Sequence, residues 1–203
     1  MVLPIRPPLE KELLYFCDES SFLREDIMSV AGLAVPRSNL KGILTRISAI
    51  PNGGYRDEVK WQTTRGWNLD HRKAYVDLLA KLITERLVHF HIRFAQFSAY
   101  THDGPRKRFD SVSKMYYQLF LHRTLRHYGS EYKVLIKPDD GDCTSQLENF
   151  VTPLAIDACF KYGSHPDCIA GISCSNSKRE PLLQLLDVTM GALTAYRNGR
   201  HLL

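Results

Sequence analysis

The sequence lacks long apolar runs, paired cysteine motifs and the usual phosphate-binding and nucleophile motifs. Its apolar stretches are short and interrupted, and none approaches the ~20 residues that a membrane helix needs. None of the five cysteines forms a C-x-x-C pair, which disfavours a zinc ribbon or a redox motif and favours free thiols in a reducing cytoplasm. No Gly-rich loop follows a strand pattern and no Gly-x-Ser-x-Gly motif occurs, which disfavours a P-loop nucleotide hydrolase and an α/β-hydrolase. Residues 1–8 have no long apolar core, so we expect no signal peptide, no membrane partner and a cytoplasmic location.

The length and composition are those of one globular domain. The chain has 203 residues, of which 44% are hydrophobic and 24% charged, so it can bury a core of its own. We expect a single domain over 1–203, in which the Pro-rich residues 1–10 form an extended lead-in.

The charge is mildly basic and unevenly placed. Lysine and arginine number 27 against 22 acidic residues, for a net charge of +5, which permits a nucleic-acid partner without requiring one. Arg106-Lys107-Arg108 forms one basic run in a polar loop that we predict over 101–110. Arg123, Arg126 and His127 group on a helical pattern. A solvated surface is the simpler explanation of such groups, and phosphate contact is the alternative.

Hydrophobic periodicity predicts the element order β-β-α-α-β-α-β-α-β-α. The predicted strands are 13–17, 27–35, 87–100, 133–137 and 168–174. The predicted helices are 37–49, 70–86, 111–127, 145–161 and 181–197, the last with Pro181 in its first turn. Such alternation predicts a sheet with helices packed on its faces.

Several acidic residues occupy positions near the core, where a carboxylate costs free energy unless it is paired or bound to a metal ion. Asp18 ends the first predicted strand, Asp139 and Asp140 follow the fourth, and Asp187 interrupts an otherwise apolar helix. Each has a simpler explanation when taken alone: Asp18, Asp139 and Asp140 are good turn residues, and Asp187 can bond an amide or an arginine.

Taken together, these acids and Glu58 are able to meet at one end of a sheet. A cluster of hard oxygen ligands of this kind is typical of magnesium or manganese sites. Two such ions support phosphoryl chemistry, in which they activate water and stabilise the leaving oxygen.

Three motifs resemble the domain of unknown function 3800 family. Residues 15–21, Tyr-Phe-Cys-Asp-Glu-Ser-Ser, are similar to its Tyr-x-Asp-Glu-Ser-Gly opening, with Ser21 in place of glycine. Residues 58–61, Glu-Val-Lys-Trp, resemble its Glu-hydrophobic-Lys motif. Residues 183–187, Leu-Gln-Leu-Leu-Asp, resemble its closing Leu-Gln-Leu-Ala-Asp helix. The similarity spans about 13–197 and implies an α/β fold of the ribonuclease H-like kind, a mixed sheet with helices on both faces.

The resemblance also implies site residues and an activity. Asp18, Glu58, Asp139 and Asp187 would be the metal ligands and catalytic acids, with Asp140 as the rival of Asp139. Lys60 would contact a phosphate, while Gln184 and Glu19 would hydrogen-bond around the site. By their charge, independently of the resemblance, Lys178 and the basic run at 106–108 are expected to hold the nucleic-acid backbone.

We therefore expect a Mg²⁺- or Mn²⁺-dependent nuclease that hydrolyses DNA or RNA. The alternatives are a non-catalytic nucleic-acid-binding or protein-interaction module that retains the fold, and a phosphohydrolase of small molecules. His89 and His91, which share one strand face, could form a metal pair, although a structural role is the simpler explanation. The oligomeric state is left open.

Overall fold

A computed structural model of the chain describes residues 6–20, 26–51, 58–99, 106–141, 144 and 146–200. The five strands are β1 (Lys11–Ser20), β2 (Ile27–Pro36), β3 (His89–Gln96), β4 (Tyr132–Pro138) and β5 (Ile169–Ile172). The helices are α1 (Leu40–Ser48), α2 (Leu69–Thr84), α3 (Arg106–Leu119), α4 (Arg126–Tyr128), α5 (Val151–Tyr162) and α6 (Pro181–Arg197). A π-helical segment, Phe120–Leu125, joins α3 to α4.

The predicted element order is confirmed, with two corrections to the predicted ranges. The third strand, expected over 87–100, ends at Gln96 and is followed by a 3-10 turn, Phe97–Ala99. Residues 106–110, expected in a basic loop, begin helix α3 instead. Arginine and lysine are good helix formers, so a basic run extends a helix as readily as it forms a loop. Residues 101–105 lie outside the described part of the chain.

The five strands form one mixed sheet in the order β3-β2-β1-β4-β5. Strands β1, β2 and β3 pair antiparallel; a short connection joins β1 to β2, whereas α1 and α2 lie between β2 and β3. Strands β4 and β5 run parallel to β1, and a helix precedes each of them. The mixed α/β architecture expected from the sequence is therefore confirmed.

Each face of the sheet carries its own hydrophobic core, because side chains alternate along a strand. On the first face, Tyr15 and Ile136 pack with α3, the π-helical segment and α5. On the second face, Leu14 and Phe16 pack with α1, α2 and α6. None of the helices among the described residues has the length and apolar character required to span a bilayer.

Candidate functional site

Strands β1 and β4 place Asp18 and Asp139 side by side. The parallel register pairs Cys17 with Pro138, and the N–H of Asp139 donates to the carbonyl oxygen of Cys17 at 2.9 Å. The next residue of each strand is an aspartate. Because the carboxyl ends of parallel strands meet at one end of a sheet, Asp18 and Asp139 share that end. Alternation places both on the second face of the sheet.

Helix α6 brings Asp187 to the same place. It packs across β1 and β2 on the second face, through an almost continuous set of buried apolar side chains. Asp187 is the one charged residue among 181–196, and one of its oxygens, Oδ2, accepts the backbone N–H of Trp61 at 2.6 Å. The apolar surface of α6 therefore holds this carboxylate against the end of the sheet.

The segment from Glu58 to Trp61 lies along α6 and is fixed by two side chains of that helix. The N–H of Val59 donates to Oε1 of Gln184 at 3.2 Å, and Asp187 binds the N–H of Trp61. Residues 184, 187 and 191 lie on one face of a helix, since they are three and four positions apart. Gly191 leaves room for the indole, because a Cβ there would lie 2.6 Å from Cδ1 of Trp61.

Glu58 and Lys60 bring a fourth carboxylate and a cation to the cluster. Nζ of Lys60 lies 3.2 Å from Oε1 of Glu58, and the Glu58 side chain is largely buried. This contact is an ion pair without hydrogen-bond geometry, so Glu58 Oε1 is buried with no regular hydrogen bond from a described residue. Burial opposes the charge of Lys60, but Glu58, Asp139 and Asp187 outweigh this effect and raise the pKa of the ammonium group.

Burial and the neighbouring acids oppose the ionisation of Asp18 and Asp187. Burial first, and then the charges of Glu19, Asp187 and Asp139, raise the pKa of Asp18 well above its usual value. Burial also raises the pKa of Asp187 to about 6, where Asp139 and Glu58 add to the shift while Trp61 and Lys60 oppose it. Ionisation of these carboxyl groups therefore costs free energy in the folded state.

Each of the three aspartates uses one oxygen for a backbone N–H. Asp18 Oδ1 accepts from its neighbour Glu19 at 2.8 Å, and Asp139 Oδ1 accepts from Asp140 and Ser177 at 3.0 and 3.1 Å. Asp187 uses Oδ2 for the N–H of Trp61. The second oxygen of each carboxylate accepts no hydrogen bond from a described residue, so all three acids remain able to bind a further group.

The cluster as it stands is not a ready-made metal centre. Within the ranges that the structure describes, no three histidine, cysteine, aspartate or glutamate side chains form a group that could hold a metal ion. Of the two candidate residues after β4, Asp139 is the one beside Asp18, whereas the side chain of Asp140 is exposed. The arrangement is a set of converging carboxylates around one lysine.

Gln184 links the two loops that hold the acids. Its amide nitrogen donates to the carbonyl oxygen of Ser177 at 2.8 Å, while its oxygen binds the N–H of Val59. The N–H of Ser177 in turn holds Asp139. The sequence indicated Gln184 but not the backbone N–H groups of Ser177 and Trp61 that hold the aspartates, because backbone donors have no signal in the sequence.

The remaining sequence candidates have mixed outcomes. The Glu19 carboxylate does not join the cluster, because alternation turns it to the first face, where Tyr116 donates to it. Lys178 is exposed and lies beside Ser177. Ser21 and the side chains of 106–108 lie outside the described residues.

His89 and His91 belong to a separate group on the first face. Oη of Tyr128 lies 2.7 Å from Nδ1 of His89, and Oη of Tyr15 lies 3.2 Å from Nδ1 of His91. The two imidazoles therefore have tyrosine partners, which supports the structural role. The four described cysteines are free, as expected: Cys17, Cys159, Cys168 and Cys174.

Compared with known proteins, the chain matches no family model and no curated protein. The similarity to the domain of unknown function 3800 family therefore rests on the three motifs quoted above.

Proposed function

We propose that this protein is a divalent-metal-dependent nuclease with a ribonuclease H-like fold that hydrolyses phosphodiester bonds of DNA or RNA. The main support is the meeting of Asp18, Asp139 and Asp187 at one end of the sheet, each with one oxygen that no described residue engages. A five-stranded mixed sheet with helices on both faces agrees with the proposed fold.

The donor set fits magnesium or manganese in its chemistry. All four acids offer hard oxygen ligands, and two of them have raised pKa values that a cation would relieve. Since no three described side chains already form a group for one ion, binding requires the carboxylates to draw closer. The oxygen of each aspartate that no described residue engages is the atom that such binding would use.

Each residue of the cluster has a role in this proposal. Asp18, Glu58, Asp139 and Asp187 would hold the cations, which when bound supply an activated water and offset charge on the leaving oxygen. Lys60 binds a phosphate oxygen of the substrate. Its ion pair with Glu58 keeps the ammonium group directed at the acids.

One observation favours a second candidate, the non-catalytic module. Lys60 already supplies a positive charge among Glu58, Asp139 and Asp187, so the cluster is partly neutralised without any metal. In such a module the acids would position Lys60 for binding rather than hold a cation.

Metal-dependent cleavage of mixed DNA and RNA substrates tests the proposal. The wild-type protein should cleave with Mg²⁺ or Mn²⁺ and stop cleaving when a chelator is added. Asp18→Asn and Asp187→Asn should each lower the rate by more than about 100-fold, beyond the loss typical of residues that only orient a metal ligand. Asp77→Asn, an exposed change on α2, is the matched control and should cleave normally.

Two results would contradict the proposal. Nucleic-acid binding that survives in every variant, with no chelator-sensitive cleavage, would identify the non-catalytic module. Cleavage of simple diesters or nucleotides, with polymers left intact, would identify a small-molecule phosphohydrolase.

A further inference from the structure

A second group of charged residues lies on the first face of the sheet, away from the carboxylates. Five exposed residues define it, and we call them the basic face: His89, Arg93, Arg123, Arg126 and His127. Two come from strand β3 and three from the π-helical segment and α4.

The three helical members point the same way. Arg123, Arg126 and His127 are exposed, whereas Thr124, Leu125 and Tyr128 are buried, so the three basic residues share the side of this segment that faces solvent. The chain there is π-helical from Phe120 to Leu125, and such segments are frequent at functional sites.

Strand β3 completes the basic face. The ring of His91 lies 6.3 Å from that of His127, and the ring of His89 stacks on Tyr128 at 5.8 Å. Burial first, and then the charges of His127, His89 and Arg123, lower the pKa of His91 to about 4. In the same way, burial and then Lys161, Arg93, Arg126 and Arg123 lower the pKa of His122. Arg93 of β3 and Arg123 and Arg126 of the helical segments therefore act on one imidazole, that of His122.

This positive charge is not balanced by ion pairs with the described residues. Arg93, Arg123 and Arg126 form no ion pair there, although Arg126 lies over the ring of Tyr162 at 5.6 Å. Three arginines that repel each other without compensation destabilise the fold slightly, so they favour an external anion. Exposed imidazoles beside them add flat surfaces on which bases can stack.

The basic face reaches the end of the sheet where the carboxylates lie. Arg93 pairs with Val30, and Val30 pairs with Glu19, the residue after Asp18. Arg93 therefore lies two strands from β1, at the height of Glu19 and Asp18 and roughly 10 Å away across the sheet. A strand bound along the basic face would reach the acids by passing over the end of the sheet.

We infer that the basic face binds the phosphate backbone of a nucleic acid. This inference rests on the proposed function, from which the substrate class comes, and it adds a binding surface distinct from Lys60 and Lys178. The arginines contact phosphates, and the rings of His89 and His127 lie beside the bases.

The test is the salt dependence of binding, measured by fluorescence anisotropy with labelled single-stranded and duplex oligonucleotides in EDTA. Arg123→Gln with Arg126→Gln removes two phosphate contacts. The slope of log K against log salt should then fall by about 1.4 on single strands and about 1.8 on duplexes. If wild type and variant bind equally at 1 M salt, a slope difference of 1.4 makes the variant bind about 25-fold more weakly at 0.1 M.

Two further variants control for charge and for folding. Lys41→Gln with Lys81→Gln, on α1 and α2, also lowers the net charge from +5 to +3 but should leave the slope unchanged. If the double arginine variant does not fold, Arg93→Gln on the edge strand should still lower the slope by about 0.7–0.9.

Three outcomes would overturn the inference: no binding by the wild type at low salt, equal losses in the arginine and lysine variants, or binding of anionic phospholipid vesicles that is as tight as that of the oligonucleotides. A parallel assay with Mn²⁺ and bis(p-nitrophenyl) phosphate separates this inference from the proposed function. Cleavage of both the diester and the oligonucleotides, with an unchanged salt slope in the double arginine variant, overturns only the basic face, whereas oligonucleotide binding without any cleavage overturns only the nuclease.

Discussion

Removal of the Asp187 charge should stabilise the metal-free protein at neutral and alkaline pH. The carboxyl group is largely buried, and its pKa is raised from 3.8 to about 6 in the folded state. The protonated form is therefore favoured on folding. Between about pH 4 and pH 6 the folded protein holds more protons than the unfolded chain, so its stability falls as the pH rises through that interval.

The size of the effect follows from the pKa. At about 1.36 kcal/mol per pH unit, the ionised carboxylate lowers the free energy of unfolding by about 3 kcal/mol above pH 6. Asp187→Asn removes this penalty and keeps an oxygen that accepts the N–H of Trp61. In a chain of this length the Tm should rise by about 6–12 °C at pH 8, and by far less at pH 4.

The assay is chemical and thermal unfolding in EDTA, for wild type and variant, from pH 4 to pH 8. Asp77→Asn, an exposed change on α2, is the matched control and should stay within about 0.5 kcal/mol of wild type at every pH. A variant that is no more stable than wild type at pH 8 would refute the reasoning, because Asp187 would then carry its charge without a penalty.

Two further predictions concern other parts of the molecule. Gly191→Ala should lower stability by about 1–3 kcal/mol, since its Cβ overlaps Trp61, whereas Gly42→Ala in α1 meets no atom within 4 Å and should be neutral or stabilising by up to about 1 kcal/mol. Equal losses in these two variants, measured by urea unfolding, would argue against the overlap. His91 has a pKa lowered from 6.5 to about 4, so it makes the fold less stable as the pH falls through that interval, by up to about 3 kcal/mol. His91→Gln removes this contribution, so the unfolding free energy of the variant relative to wild type should rise as the pH falls from 6.5 to about 4. A difference that stays constant with pH would exclude His91 as the cause.

The element order was predictable because helices and strands impose different hydrophobic periods. The last helix runs from Pro181 to Arg197 as predicted, with proline in its first turn and an apolar body. The error at 106–110 arose because basic residues satisfy both a helix and a polar loop, and only packing decides between them.

Part of the candidate site was also visible in the sequence. Asp18 and Asp139 follow strands, and Asp187 breaks an apolar helix, so each was an unusual place for a charge. The sequence did not indicate that the Glu19 carboxylate lies outside the cluster. It follows from the alternation of side chains along β1, which sends neighbouring acids to opposite faces of the sheet.

The sequence by itself determined the kinds of element, their order and the residues whose charge is costly to bury, because these depend on local periodicity and on the chemistry of each side chain. Only the tertiary structure decided which acids meet, since the parallel pairing of β1 with β4 joins residues more than a hundred positions apart. It also decided which backbone N–H groups hold the acids, and it joined β3 to the helical arginines in the basic face. Contacts of this kind depend on register and packing, for which a single sequence has no local signal.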